Sequence, residues 1–363
     1  MEKKEKIFVS IYQMQEGGAG RVTCTMVNEL AKLGYEIVIC TDTVRYTVFY
    51  QLDPTIKIVT YNERICKGNK LTYYSYVIFQ LRRLIKQEKP DVILGVEALM
   101  FFLTKMAISF TNTPIVAVDH TSMGRNLGCF LNWVRHNYYG SASAISLLTH
   151  KDAHILGDKF PQKYVIYNPL SFPVFKGSEQ RRNTILCVGR LNAWNVKGFD
   201  RILKIWSELS SKYPEWSLEI AGGGSEEAFK EVNAMIDHFE LGNTVRLLGQ
   251  VIDMPTLYQR TRIFALPSRV EGFPMGLVEA MSQGCCCVAF DMQGAVKEII
   301  EDKKSGYIVN DDDVSMFSDV LEMLLTNPQV ITSVGQEAVE KCSEFSVDSF
   351  VGKWVSVLDG LKK

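Results

Sequence analysis

Short, unbroken apolar runs alternate along the whole chain with stretches whose apolar residues recur every three or four positions. Unbroken runs suit strands buried on both faces, and the 3.6-residue period suits helices lying on a sheet. The pattern therefore predicts parallel sheets covered by helices on both sides. In the first half, strands are predicted at Ile7–Tyr12, Glu36–Thr41, Ile56–Thr60, Asp91–Gly95, Pro114–Asp119, Ala144–Leu148 and Tyr164–Tyr167. Helices lie between them, Arg21–Leu33 and Tyr73–Gln87 among them. The second half predicts strands at Thr184–Val188, Ser217–Ala221, Val245–Leu248, Ile263–Leu266, Cys285–Phe290 and Gly306–Val309.

Between the halves runs "NPLSFPVFKGSEQRRN", Asn168–Asn183, with two prolines, a glycine and a charge run. That is the composition of a linker. A chain of 363 residues is also long for a single core. The expected fold class is α/β, with two Rossmann-like doubly wound domains over residues 1–170 and 171–345. In such sheets ligands lie beyond the carboxyl ends of the strands, where strand order reverses. Two domains facing each other would form a cleft there.

Composition narrows the function. Hydrophobic content of 47% and charged content of 22% are those of a globular protein. A formal net charge of -1 gives no global attraction to nucleic acid, which is not expected as a partner. No apolar stretch is long enough to span a membrane, and the short apolar run near the N-terminus lacks a small-residue cleavage site. Nine cysteines, an odd number without metal-ligand spacing, imply reduced thiols and a cytoplasmic setting. Cys285, Cys286 and Cys287 read as small apolar residues of a buried strand, since neighbours in a strand point to opposite faces.

Several loops carry candidate chemistry. In "SRVEGFPMGLVEAMSQG", Ser268–Gly284, Glu271 and Glu279 sit eight positions apart in an otherwise apolar segment. A helix beginning near Pro274 to Gly276 would hold Glu279 in its early turns, with Glu271 in the loop before it. In "CVGRLNAWNVKGFD", Arg190 leaves a strand and Lys197 precedes Gly198 and a helix starting near Phe199. Unpaired amides and the dipole at a helix start favour phosphate, and two cations there would neutralise a diphosphate. Each close cation contact is worth about 4 kcal/mol in raw Coulomb terms at an effective dielectric near 20, before desolvation. A pair of solvated charges beside a turn satisfies the same residues equally well. The loops "IAGGGSEEAF" and "EGGAG", Glu16–Gly20, could approach an anion or simply turn the chain. Neither completes a dinucleotide fingerprint. His120, after the strand "PIVAVD", stands at a carboxyl edge where it could meet substrate or bond to neighbouring backbone. Asp311–Asp313 read as the cap of a helix over Val314–Leu325, in preference to a metal site.

With these segments in order, the sequence resembles glycosyltransferase family 4, retaining enzymes of the GT-B fold. "GGAGRVTCTMVNELAKLGYEIVICT" resembles the first glycine loop and helix of that family, "VIYNPL" its inter-domain crossing, and "SRVEGFPMGLVEAMSQGCCCVAFD" its donor-site motif. The likeness implies that Glu279 accepts hydrogen bonds from the nucleotide ribose, a task for an acceptor-only carboxylate. Glu271 would contact the donor sugar, with the backbone of Gly272, Phe273, Pro274, Met275 and Gly276 near sugar and phosphates. Arg190 and Lys197 would hold the diphosphate and stabilise it as leaving group. His120 would lie near the transferred sugar, and Gly17 and Gly18 near the phosphates or acceptor. No metal and no cofactor beyond the donor are implied, and residues 346–363 resemble a terminal helix crossing back to the first domain. Two departures stand out: Gly20, where the family commonly carries an acidic residue, and "DMQGAVKEII" after the buried strand.

The function expected from the likeness is transfer of a hexosyl or N-acetylhexosaminyl group from a nucleotide-sugar, a UDP-sugar, to a saccharide or lipid-linked saccharide in cell-envelope polysaccharide synthesis. The basic helix bearing Arg82, Arg83 and Lys86, together with the aromatic-rich "FLNWVRHNYYG", raises peripheral contact with the inner face of a membrane. A nucleotide-sugar epimerase of the same fold and a non-catalytic nucleotide-sugar-binding protein are the rival readings.

Overall fold

The computed structural model describes residues 5–15, 17–62, 69–160, 162–175, 177, 180–292 and 294–362. Glu16 of the first glycine loop, Gln293 and parts of the linker lie outside the described residues. Contacts divide the chain into two units, Met1–Pro169 with Val347–Lys363, and Leu170–Ser346.

The first unit is built on a parallel sheet of β1 (Lys6–Ser10), β2 (Glu36–Thr41), β3 (Lys57–Thr60), β4 (Val92–Val96), β5 (Ile115–Val118), β6 (Ala144–Leu147) and β7 (Lys163–Val165). Their order is β3-β2-β1-β4-β5-β6-β7. β1 is flanked by β2 and β4, with Phe8 opposite Val38 on one side and Ile93 on the other. Each central strand is buried on both faces, which is why its sequence shows no alternation. Helix Val347–Gly360 places Phe350, Trp354, Val357 and Leu358 in the same cluster as Ile7, Val9, Val27 and Leu30.

The second unit contains β8 (Arg182–Val188), β9 (Ser217–Ala221), β10 (Val245–Gly249), β11 (Thr261–Leu266), β12 (Cys286–Asp291) and β13 (Tyr307–Asn310), in the order β10-β9-β8-β11-β12-β13. All its pairings are parallel. Cys285, Cys286 and Cys287 are fully buried, and burial pushes each thiol far above its ordinary range. Asp313 caps helix Val314–Leu325 by accepting the Met316 amide at 3.0 Å, while Asp311 and Asp312 bond the buried Arg201. Each buried aliphatic side chain of these cores contributes roughly 1.5–3 kcal/mol over its exposed state.

Among the described residues, thirteen strands fall where the apolar runs place them, with ends displaced by a residue or two. Among the described residues no helix is long and apolar enough to cross a membrane.

Candidate active site

In the second sheet, strand order reverses between β8 and β11, and the loops leaving these two strands carry most of the candidate residues. After β8, the Gly189 amide donates to Ala221 O at 2.9 Å and the Leu191 amide to Gly223 O at 2.9 Å. A Cβ on Gly222 would lie 1.8 Å from Gly189 O, so Gly222 serves close backbone packing between neighbouring loops. The short helix Trp194–Lys197 ends on Gly198 at φ 69°, where a Cβ would lie 1.9 Å from Pro267 O. This glycine brings the loop after β8 against the loop after β11.

That approach sets Lys197. Its stem runs over Gly189, whose absent Cβ would lie 2.8 Å from the lysine Cγ and Cδ. The ammonium reaches Glu271 Oε1 at 2.7 Å, and the Ser268 hydroxyl donates to the same oxygen at 2.8 Å. Arg190, at the end of the same strand, is exposed and has no side-chain partner among the described residues. It is available to an incoming anion.

Glu279 is the fifth residue of helix Met275–Ser282 and is buried. Ser171 donates to its Oε1 at 2.6 Å and the Tyr258 hydroxyl to its Oε2 at 3.2 Å. Burial and the adjacent carboxylate push the Tyr258 phenol far above its ordinary range, so it remains a hydrogen-bond donor. The two acids that stand eight apart in sequence are thus held differently, one by a cation and one by hydroxyls. Phe273 turns inward, its ring 5.8 Å from that of Phe345, and Pro274 is buried at the start of the helix. Of the glycine-rich stretch, Gly272, Met275 and Gly276 remain partly exposed.

The other candidates lie at the carboxyl edge of the first sheet. Asp119, after β5, accepts from Arg135 Nε at 2.8 Å, from the Tyr139 hydroxyl at 2.8 Å and from the Thr121 amide at 3.0 Å. This buried network fixes the strand end from which His120 projects. Both ring nitrogens of His120 are sequestered from water beside the Asn168 side chain, whose Oδ1 is buried without a partner. Burial outweighs the negative charge of Asp119 and lowers the imidazole pKa to about 4, so the ring is neutral. Gly17 is bonded through both its amide and its carbonyl to the Tyr50 hydroxyl, at 2.9 and 3.0 Å, and Gly18 opens helix Gly18–Lys32. That helix starts three residues before Arg21. A side chain at Gly20 would place its Cβ 2.7 Å from Gln15 O, so the backbone here has no room for an acidic residue.

Sequence reasoning did not find Ser171 and Tyr258. Ser171 lies in the linker composition, and Tyr258 is one apolar position of a short helix with no motif around it.

Two doubly wound parallel sheets, with cations and carboxylates on the loops beyond the second switch point, make up the GT-B fold. Residues 16–171 match the model described as Glycosyltransferase Family 4 and residues 172–344 that described as Glycosyl transferases group 1, so that the two together span most of the chain. The chain belongs to this family. It is 27% identical over 352 residues to an uncharacterized glycosyltransferase of Haemophilus influenzae, covering 94% of this chain and 96% of the relative. It is 24% identical over 367 residues to a Campylobacter jejuni alpha-1,4-N-acetyl-D-galactosaminyltransferase named for a diNAcBac-PP-undecaprenol saccharide, covering 98% and 99%. Among solved structures, Anabaena HepE in complex with UDP and glucose superposes with a TM-score of 0.80 at 16% identity, covering 98% of this chain and all of that one.

Proposed function

We propose that the protein is a retaining glycosyltransferase that moves a sugar from a UDP-sugar to a saccharide carried on a lipid. The observation that carries this reading is the pairing of Lys197 with Glu271, reached from the loops that leave β8 and β11, the first of which also carries the exposed Arg190. In it, Arg190 and Lys197 take the diphosphate, Glu271 turns to the donor sugar, and Glu279 takes the ribose diol. The acceptor oxygen bonds to the anomeric carbon as the bond from that carbon to the diphosphate breaks on the same face. The acceptor proton passes to the departing phosphate oxygen, and the two cations stabilise the charge left on UDP. The neutral His120 ring supplies a hydrogen bond to the transferred sugar. Gly17 and Gly18 approach the phosphates or acceptor through backbone.

The cations do the work a metal would do, so transfer is expected to survive EDTA. The HepE complex with UDP supports the nucleotide, and the Campylobacter relative supports an N-acetylhexosamine and a diphospholipid carrier. Calorimetric titration of UDP, followed by transfer assays with UDP-glucose, UDP-galactose and their N-acetylated forms, tests the reading. Absence of UDP binding would overturn it.

A lipid-linked acceptor goes with peripheral membrane contact. Helix Lys70–Glu88 carries Arg82, Arg83 and Lys86 with an exposed Phe79, and helix Cys129–Asn137 exposes Phe130 and Trp133. Helices that carry cations and expose aromatic rings suit an anionic lipid surface. Co-flotation with phosphatidylglycerol liposomes is expected, and a protein that stays at the bottom of the gradient would remove this part.

A further inference from the structure

Each sheet reverses its strand order once, between β1 and β4 in the first and between β8 and β11 in the second. The second reversal carries the donor residues. At the first, the residue at the tip of β4 is Glu97, which opens helix Glu97–Ala107. Its φ is 66°, a left-handed conformation that a side chain with a Cβ rarely adopts. Strain of this kind persists where the surroundings enforce it, and it gathers at functional sites.

The surroundings do enforce it. The Thr121 hydroxyl donates to Glu97 Oε2 at 3.1 Å, and the His120 backbone amide is bonded to the same carboxyl group. Thr121 is itself anchored: its amide donates to Asp119, and its carbonyl accepts from Arg135 at 2.5 Å. The buried ion pair of Asp119 with Arg135, at 2.8 Å, thus holds two donors against Glu97. The residue that lends one of these donors, His120, keeps both ring nitrogens out of water, with the Asn168 side chain as their neighbour. Buried polar atoms are nearly always satisfied, so a cluster of this kind at a sheet edge points to a polar ligand. Burial, reinforced by the negative charge of Asp119, raises the Glu97 pKa well above the carboxylate range. The group therefore carries a proton near neutral pH, and can both donate and accept as a sugar hydroxyl does. Glycine would hold the same backbone without strain, so the turn alone does not call for a glutamate here.

We propose that Glu97 is an acceptor-binding residue, its carboxyl group bonding a saccharide hydroxyl at the switch point of the first sheet. The proposal rests on the glycosyl-transfer reading above, and its test separates the two. Saturation-transfer NMR is run with p-nitrophenyl glycosides of glucose, galactose, N-acetylglucosamine and N-acetylgalactosamine, and UDP affinity is measured by calorimetry on the same proteins. The parent chain and Glu97→Gln, which preserves a donor and an acceptor, are expected to bind at least one glycoside. Glu97→Ala is expected to lose that binding by tenfold or more while its UDP affinity stays within twofold. Glu97→Gly is expected to melt at a higher temperature than the parent chain and still lose the glycoside. Glycoside binding by Glu97→Ala equal to that of the parent, parallel loss of UDP binding in that variant, or no glycoside binding by the parent would each overturn the proposal. Failure of the parent to bind UDP, with the glycoside contrast intact, would overturn only the donor reading.

Discussion

The ammonium of Lys197 lies 2.7 Å from Glu271 Oε1, so the cation assigned to the donor diphosphate is already paired with the acid assigned to the donor sugar. The pair is partly buried, with side-chain exposures of 24% and 15%, and screening by water is incomplete. A diphosphate entering this site competes with Glu271 for the lysine. Lys197→Ala is expected to weaken UDP binding at least tenfold, about 1.4 kcal/mol. Glu271→Gln removes the competitor, so UDP should bind at least as tightly while sugar transfer falls by about a hundredfold or more, about 2.7 kcal/mol of barrier. Calorimetry and transfer assays on both variants check this. An unchanged UDP affinity in Lys197→Ala would take the lysine out of the phosphate site.

The pairing depends on a backbone approach. Gly198 at φ 69° lets the loop after β8 touch Pro267 O, and any side chain there must push the two loops apart. Gly198→Ala is expected to destabilise the chain by about 2 kcal/mol, since it adds a clash to a strained φ. It should also weaken UDP binding, because Lys197 and Ser268 meet Glu271 from the two loops that separate. Urea unfolding and calorimetry measure the two effects, and loss of stability without loss of affinity would show that the loops move together.

Much of this was legible in the chain. The apolar runs located the thirteen strands of the described residues because parallel strands buried on both faces need nothing but apolar residues. Glu271 and Glu279 stood out because carboxylates in an apolar, glycine-punctuated segment are costly without a purpose, whereas Arg190 and Lys197 were marked only by their place between a strand end and a helix start, which solvated charges fill as well. The carriers of orientation were not legible. Ser171 and Tyr258 meet Glu279 from sequence separations of 108 and 21, and nothing local marks either. Glu97 was hidden for a different reason: it ends a strand and starts a helix, and what marks it is a φ of 66° together with the donors from Thr121 and His120 that meet its carboxyl group. Backbone strain leaves no trace in composition or period.

Tyr258 is expected to position Glu279 without touching the nucleotide. Its hydroxyl donates to Oε2 at 3.2 Å from a fully buried ring. Tyr258→Phe keeps the ring and removes that donor, at a cost of about 1–2 kcal/mol. The carboxylate then loses one of the groups that aim it. The expected kinetic result is a KM for the donor raised several-fold with kcat nearly unchanged, and Ser171→Ala should act in the same direction. A double variant whose effect on KM differs from the product of the two single effects would show that both hydroxyls act through one carboxylate. A drop in kcat with KM unchanged would argue against a role in donor placement.

His120 and Glu97 give the fold opposite responses to pH. The His120 pKa is lowered from 6.5 to about 4, so between these values the unfolded chain binds a proton that the folded chain refuses. Its contribution to stability therefore rises with pH and is fully present above 6.5. The Glu97 pKa is raised from 4.5, so the folded chain keeps a proton that the unfolded chain releases. That contribution is full below 4.5 and is lost as pH climbs through the raised value. Over the window from 4.5 to 6.5 the two slopes oppose each other, and the parent chain hides both. Glu97→Gln should unmask the rise belonging to His120, and His120→Gln the fall belonging to Glu97, each by about 2 kcal/mol across the window. Unfolding free energies from urea titrations at pH 4.5 and 6.5 on the three proteins supply the comparison, with differences from the parent removing the background of other carboxylates. Equal pH slopes in all three would mean that neither group is held in the protonation state assigned to it.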